Sequence, residues 1–181
     1  MESIIKPHLA YDGEGYIFPA SEDISSILAT HGSTIEAAGD LITTGSFNAG
    51  HRVSSGITGL SPLGSEFYAT PNPNFNFDAY QLKGDKFNQA DLDQTDAIMT
   101  GIYYAESGDT DYEGGVVIAL SGKAALLGME IHVDTLAHID PEKNVVLELV
   151  LPVTPSINQV QGIYPIDEMS HKNLVDYITK Q

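Results

Sequence analysis

The sequence has 181 residues, which suits one domain with appendages, and 42% of them are hydrophobic, enough to form a core. Its 25 acidic against 8 basic residues give a net charge of −17, so nucleic-acid phosphates and anionic lipid surfaces should repel it. The absence of cysteine excludes a disulfide framework, a thiol nucleophile and a cysteine-ligated metal site. We therefore expect neither a nucleic-acid partner nor a membrane partner.

Residues 1–20 are short apolar pieces broken by Pro7, Gly13, Gly15 and Pro19. This pattern predicts an extended N-terminal arm, of the kind that orders only against a partner. The arm supplies most of the candidate partner-binding side chains, namely Ile4, Ile5, Leu9, Tyr11, Tyr16 and Ile17.

Residues 21–139 are predicted to form a β-rich core domain, because the 17 glycines and 9 prolines of the chain indicate many turns. Within it, residues 22–30 allow two helical turns, and residues 33–54 are interpreted as paired strands. A loop insertion is expected over about 55–90. The predicted fold class is therefore mainly β: a small β-barrel or β-tulip-like domain with a few short helices.

Aromatic residues concentrate in two parts of this core domain. Phe75 and Phe77, near Phe67, Tyr68 and Tyr80, are candidate partner-binding residues, and Tyr103, Tyr104 and Tyr112 surround an acidic turn. Tyrosine and phenylalanine bury much area at interfaces with little loss of entropy. Two alternatives stay open for the first group: its members fill the core, or the Phe67–Tyr80 aromatics bind carbohydrate.

Strands are predicted around 97–105, 115–120 and 129–133. The turn Asp109–Gly114 resembles the start of a calcium loop, but Leu120 stands where a bidentate glutamate is required, so a solvated hairpin turn is preferred. Residues 140–181 are predicted as a C-terminal extension, with a buried strand at 144–151 and a terminal amphipathic helix.

One segment has the composition of a metal site. On a strand, Glu130, His132 and Asp134 would share a face, and His138 and Asp140 could complete a set of nitrogen and oxygen ligands. A metal-binding or metal-dependent hydrolytic domain using His132, Asp134, His138 and Asp140 is therefore the alternative function. The simpler interpretation is the polar face of a strand, and it predicts no cofactor and no catalytic residue.

Three segments carry a resemblance to a known family: Ile35–Gly45, Asp96–Ile102 with Gly108-Asp109, and Val116–Gly122. Their order resembles the lambda-type head decoration proteins of tailed phages, over about residues 33–130. The resemblance implies a β-rich protomer that trimerises on the outer surface of the capsid and is not an enzyme. It also implies that the arm pairs with strands of the major capsid protein lattice, and that the protein is assembled in the host cytoplasm.

Overall fold

A computed structural model describes residues 23–47, 66–80, 83–84, 87–107, 114–134 and 146–181. The strands in chain order are β1 Ile27–Thr34, β2 Phe67–Pro71, β3 Lys83–Gly84, β4 Gly115–Ser121, β5 Glu130–Asp134, β6 Val146–Leu151 and β7 Val160–Pro165. The α-helices are α1 Ile35–Thr44, α2 Gln89–Asp93, α3 Ala97–Ser107 and α4 Glu168–Thr179. Short 3₁₀ helices connect several of these elements, one of them at Ile24–Ser26 and another at Gly122–Leu127.

The strands form one sheet in the order β3-β5-β6-β2-β1-β4-β7. Every neighbouring pair is antiparallel except β3 with β5, where two residues pair in parallel. The predicted mainly-β small domain with few short helices is thus confirmed. None of the helices in the described ranges is long and apolar enough to cross a bilayer.

Alternate residues of β4 face two different hydrophobic clusters, because successive side chains of a strand point to opposite faces. Val116, Ile118 and Leu120 join the main cluster, which also collects buried side chains from β1, β2, β5, β6, β7, α1 and α4. Val117 and Ala119 join a second cluster that α3 covers. The centre of the sheet is therefore covered on both faces, by α1 and α4 on one and by α3 on the other.

The prediction of paired strands over 33–54 is wrong, since α1 occupies Ile35–Thr44. The Thr34 hydroxyl accepts a hydrogen bond from the Ala37 N–H at 3.2 Å and caps the first turn. Gly45 ends the helix in the left-handed region, at φ +80°. Both signals are local and present in the sequence.

The strand predicted over 97–105 is a helix, and the two helical turns predicted over 22–30 are a single 3₁₀ turn at Ile24–Ser26 followed by the start of β1. Asp96 caps α3, because its Oδ1 accepts the Met99 N–H at 3.0 Å. Short apolar runs fit a buried strand and a helix equally well by periodicity, and tertiary packing decided both cases. The strands expected around 115–120, 129–133 and 144–151 and the terminal helix are confirmed.

The boundary predicted at residue 140 does not divide the sheet. Strand β6 lies between β5 and β2, and β7 pairs with β4, so the last residues are integral to the sheet. Helix α4 packs on α1, where the Tyr177 hydroxyl donates to Asp40 Oδ1 at 2.7 Å, which raises the pKa of Tyr177 to about 12. Likewise β2 lies inside the stretch predicted as a loop insertion.

Candidate functional site

Helix α3 packs directly on the sheet, because the glycines at the contact have no side chain that would hold the helix away from the strands. A Cβ built on Gly32 of β1 would lie 2.5 Å from the Gly101 carbonyl oxygen and 2.6 Å from the Ala105 nitrogen. A Cβ on Gly115 of β4 would collide with the Ala105 carbonyl. The buried Thr30 hydroxyl also donates to the Ala97 carbonyl at the start of the helix. This close backbone approach fixes α3 rigidly.

The inner face of α3 is buried in the second hydrophobic cluster through Ile102 and Ala105. Their neighbours in that cluster come from three strands and the segment after β7, namely Ile27, Val117, Ala119, Tyr164 and Ile166. Such a helix normally presents charged residues on its opposite side.

The outer face of α3 is apolar instead. Met99 is 54% exposed and Tyr103 is 38% exposed, and they lie one turn apart, so they are neighbours on the helix surface. Glu106 is the one charged residue of the helix in a chain with 18% charged residues. Glu106 lies on this same face near the C-terminal end of the helix, so the exposed apolar part is the stretch from Met99 to Tyr103.

A cavity of about 330 Å³ lies at the N-terminal end of α3. Ile24, which is 38% exposed, and Ile98 line it together with mostly polar residues, among them Asn72, Asp93 and Asp96. We call the side chains of Ile24, Ile98, Met99 and Tyr103 the α3 surface. Carboxylates lie at its two ends, Asp93 and Asp96 at one and Glu106 at the other.

No protein-family model, curated protein or solved structure matches this chain. The three segments from which the resemblance to head decoration proteins was predicted fall on two helices and one strand. Ile35–Gly45 forms α1 with its terminating glycine, Asp96–Ile102 forms the start of α3, and Val116–Gly122 covers most of β4. Of these segments, Asp96–Ile102 contributes Ile98 and Met99 to the α3 surface, and Val116–Gly122 forms most of the strand beneath α3.

The predicted aromatic site is largely interior. Phe77 is buried in the main cluster, and Phe75 packs against that cluster with its ring 5.0 Å from the Phe77 ring. The expectation that Phe77 is exposed to a partner is wrong, because the short 3₁₀ helix at Phe77–Ala79 turns it inward. Phe67 is buried as well, whereas Phe75 and Tyr80 stay partly exposed and stack with their ring centroids 5.7 Å apart. The candidate residues of the arm, from Ile4 to Ile17, lie outside the described residues.

The proposed metal ligands are only partly within the described chain. His132 Nε2 lies 3.0 Å from Glu130 Oε2, and both side chains are more than one third exposed. Asp134 is the last residue of β5, while His138, Asp140 and the acidic turn 109–113 fall outside the described residues. Among the residues that are described, no three His, Asp or Glu side chains converge closely enough to hold a metal ion. Nothing in this part of the chain favours the hydrolytic alternative.

Sequence reasoning identified Tyr103 as an exposed aromatic but missed Met99 and the surface that they share. A strand over 97–105 would place residues 97, 99, 101, 103 and 105 on one face. In the observed helix, residues 97, 101 and 105 are buried, whereas Met99 and Tyr103 are exposed. The signal that could have identified the surface is the nearly charge-free composition of this stretch beside strongly acidic neighbours.

Proposed function

We propose that this chain is a non-enzymatic structural protein that self-associates as a homotrimer and binds the outer surface of a phage capsid, which it stabilises. The observation that carries the proposal is the apolar outer face of α3. Met99 and Tyr103 belong to the residue types that are enriched at protein interfaces, and the close packing of α3 on the sheet presents them in a fixed arrangement.

The charge of the chain favours a second copy as the partner of this surface. Two copies that each carry −17 repel one another, and the repulsion is weakest where carboxylates are fewest. Between the aspartates at its N-terminal end and Glu106, the α3 surface carries no charged residue. A cyclic arrangement around an axis near α3 would cover this surface on each copy.

The trimeric state and the capsid partner follow from the resemblance to head decoration proteins. A trimer that binds only to the assembled lattice shifts the assembly equilibrium toward that lattice, in the same way that a ligand stabilises the state it binds. The acidic remainder of the surface keeps such a protein soluble at high local concentration.

Placing charges on the α3 surface should abolish self-association. The double variant Met99→Glu and Tyr103→Glu keeps good helix formers at two exposed positions, so it should fold and sediment at the mass of a single chain. The matched control is Leu126→Glu on the Gly122–Leu127 3₁₀ helix, where the leucine is 81% exposed but lies outside the α3 surface. The control should keep the wild-type mass, and a double variant that also keeps it would contradict the proposed interface.

The capsid part of the proposal is tested on particles. Electron microscopy of the native capsid should show threefold-symmetric density of this chain on its exterior, at local threefold positions. Capsids to which the purified wild-type protein adds no density would contradict the capsid partner, whereas the self-association is tested separately by the mass measurement.

A further inference from the structure

Methionine carries all the sulfur of this chain, because the sequence contains no cysteine. Of the three methionines that the structure describes, Met129 is buried in the main cluster, whereas Met99 is 54% exposed and Met169 is 43% exposed. The two exposed methionines lie on opposite sides of the sheet, one on α3 and the other on α4. An oxidant in solution therefore reaches two thioethers of similar exposure, and only one of them belongs to the α3 surface.

The Met99 thioether is presented by a helix that cannot turn it inward. The backbone of α3 contacts β1 and β4 where Gly32 and Gly115 leave no side chain between them. The Met99 N–H is held by Asp96 Oδ1 at 3.0 Å, which fixes the first turn of the helix. Rotation of α3 about its axis would break these contacts, so the exposure of Met99 is built into the packing of the helix.

The α3 surface offers little to satisfy an added oxygen at Met99. Oxidation converts the apolar thioether into a polar sulfoxide, whose oxygen accepts hydrogen bonds. Of the other three side chains that form the α3 surface, only that of Tyr103 carries a donor. The carboxylates at the two ends of the surface only accept, so they repel the sulfoxide oxygen. Burial of such an oxygen without a donor should weaken association roughly tenfold or more for each copy.

We propose that Met99 is an oxidation switch for self-association, so that its conversion to the sulfoxide by a peroxide prevents copies from associating through the α3 surface. This inference rests on the proposed function. In the reaction with hydrogen peroxide the O–O bond breaks and one oxygen bonds to sulfur, which loses two electrons. The other oxygen leaves with both hydrogens as water. Reduction by a methionine sulfoxide reductase restores the thioether and with it the association.

Sedimentation of the whole chain before and after treatment with hydrogen peroxide tests the switch, with the conversion of each methionine measured by peptide mass spectrometry. The untreated chain should have the mass of three chains, and it should fall to the mass of one chain as Met99 is converted. Met99→Leu keeps an apolar helix former without sulfur, so it should stay associated under the same treatment. Met169→Leu is the matched control and should dissociate as the wild type does.

The outcomes separate the switch from the proposed function. An untreated chain with the mass of one chain at every protein concentration would overturn both. A trimer that keeps its mass after complete conversion of Met99 would overturn the switch alone, and so would Met99→Leu dissociating in peroxide as the wild type does.

The rate of oxidation gives a second readout that needs no variant. Since a neighbouring copy covers Met99 in the associated state, its sulfoxide should form more slowly as the protein concentration is raised through the range where the chain associates. Met169 lies on the other side of the sheet, and its rate should not change. The same dependence on protein concentration at both methionines would overturn the proposal.

Discussion

Replacing Gly32 with alanine should lower the free energy of unfolding by about 3 kcal/mol. The new methyl group would lie 2.5 Å from the Gly101 carbonyl oxygen and 2.6 Å from the Ala105 nitrogen. Both are backbone atoms of α3, so no side-chain rotation relieves the overlap and the helix must move away from β1. That movement would also stretch the hydrogen bond between Thr30 and the Ala97 carbonyl.

Gly101→Ala is the matched control on the facing side of the same contact. Its Cβ would lie 3.1 Å from Val117 Cγ1 and 3.3 Å from Thr30 Oγ1, so two side chains rather than backbone atoms must shift, by a few tenths of an ångström. Alanine also favours the helix by about 1 kcal/mol, so the net change should stay within about 1 kcal/mol of zero. Chemical denaturation of both variants measures the two changes in the free energy of unfolding. Equal losses would contradict the described packing of α3 on the sheet.

Asn72→Asp should destabilise the protein at neutral pH by about 4 kcal/mol, although the two side chains have the same shape. Asn72 is 4% exposed, and its amide nitrogen donates to two carbonyls, Ile24 and Ile27. A carboxylate there turns both donations into repulsion between oxygens. The matched control is Asn76→Asp four residues away, where the side chain is exposed and makes no capping hydrogen bond, and the change should be below about 0.5 kcal/mol.

The pH dependence of Asn72→Asp provides a second check. Burial beside two carbonyls raises the pKa of the introduced carboxyl in the folded state above its unfolded value of about 3.9. The folded state therefore binds the proton more tightly, and the loss of stability should shrink as pH falls through the folded pKa. A thermal denaturation series that shows the same deficit at pH 7 and pH 4 would contradict this account of Asn72.

The amount of structure predictable from sequence differed between segments for physical reasons. The run 144–151 predicted β6 correctly, because a continuous apolar run bounded by proline has the length of a buried strand. The stretch 97–105 was predicted as a strand but is a helix. An apolar stretch with a central glycine fits a strand as well as it fits a helix that lies close to a sheet. Only the facing glycines at 32 and 115, distant in sequence, decide between the two.

The candidate site was harder to predict than the fold. The sequence predicts partner-binding aromatics in the glycine- and proline-rich stretch that ends at residue 80, but Phe67 and Phe77 point into the core. Exposure at Met99 and Tyr103 depends on the helical period, so the error in secondary structure carried over to the site. Asn72 has no local sequence signal either, because the carbonyls that its amide binds belong to Ile24 and Ile27, far away in the sequence.

The molar mass of the wild-type chain in solution tests the central claim, self-association through the α3 surface, most directly. Sedimentation equilibrium at near-physiological salt should give three times the 19.4 kDa of a single chain, and added salt should favour the trimer by screening repulsion between acidic copies. A mass of one chain at every protein and salt concentration would contradict it.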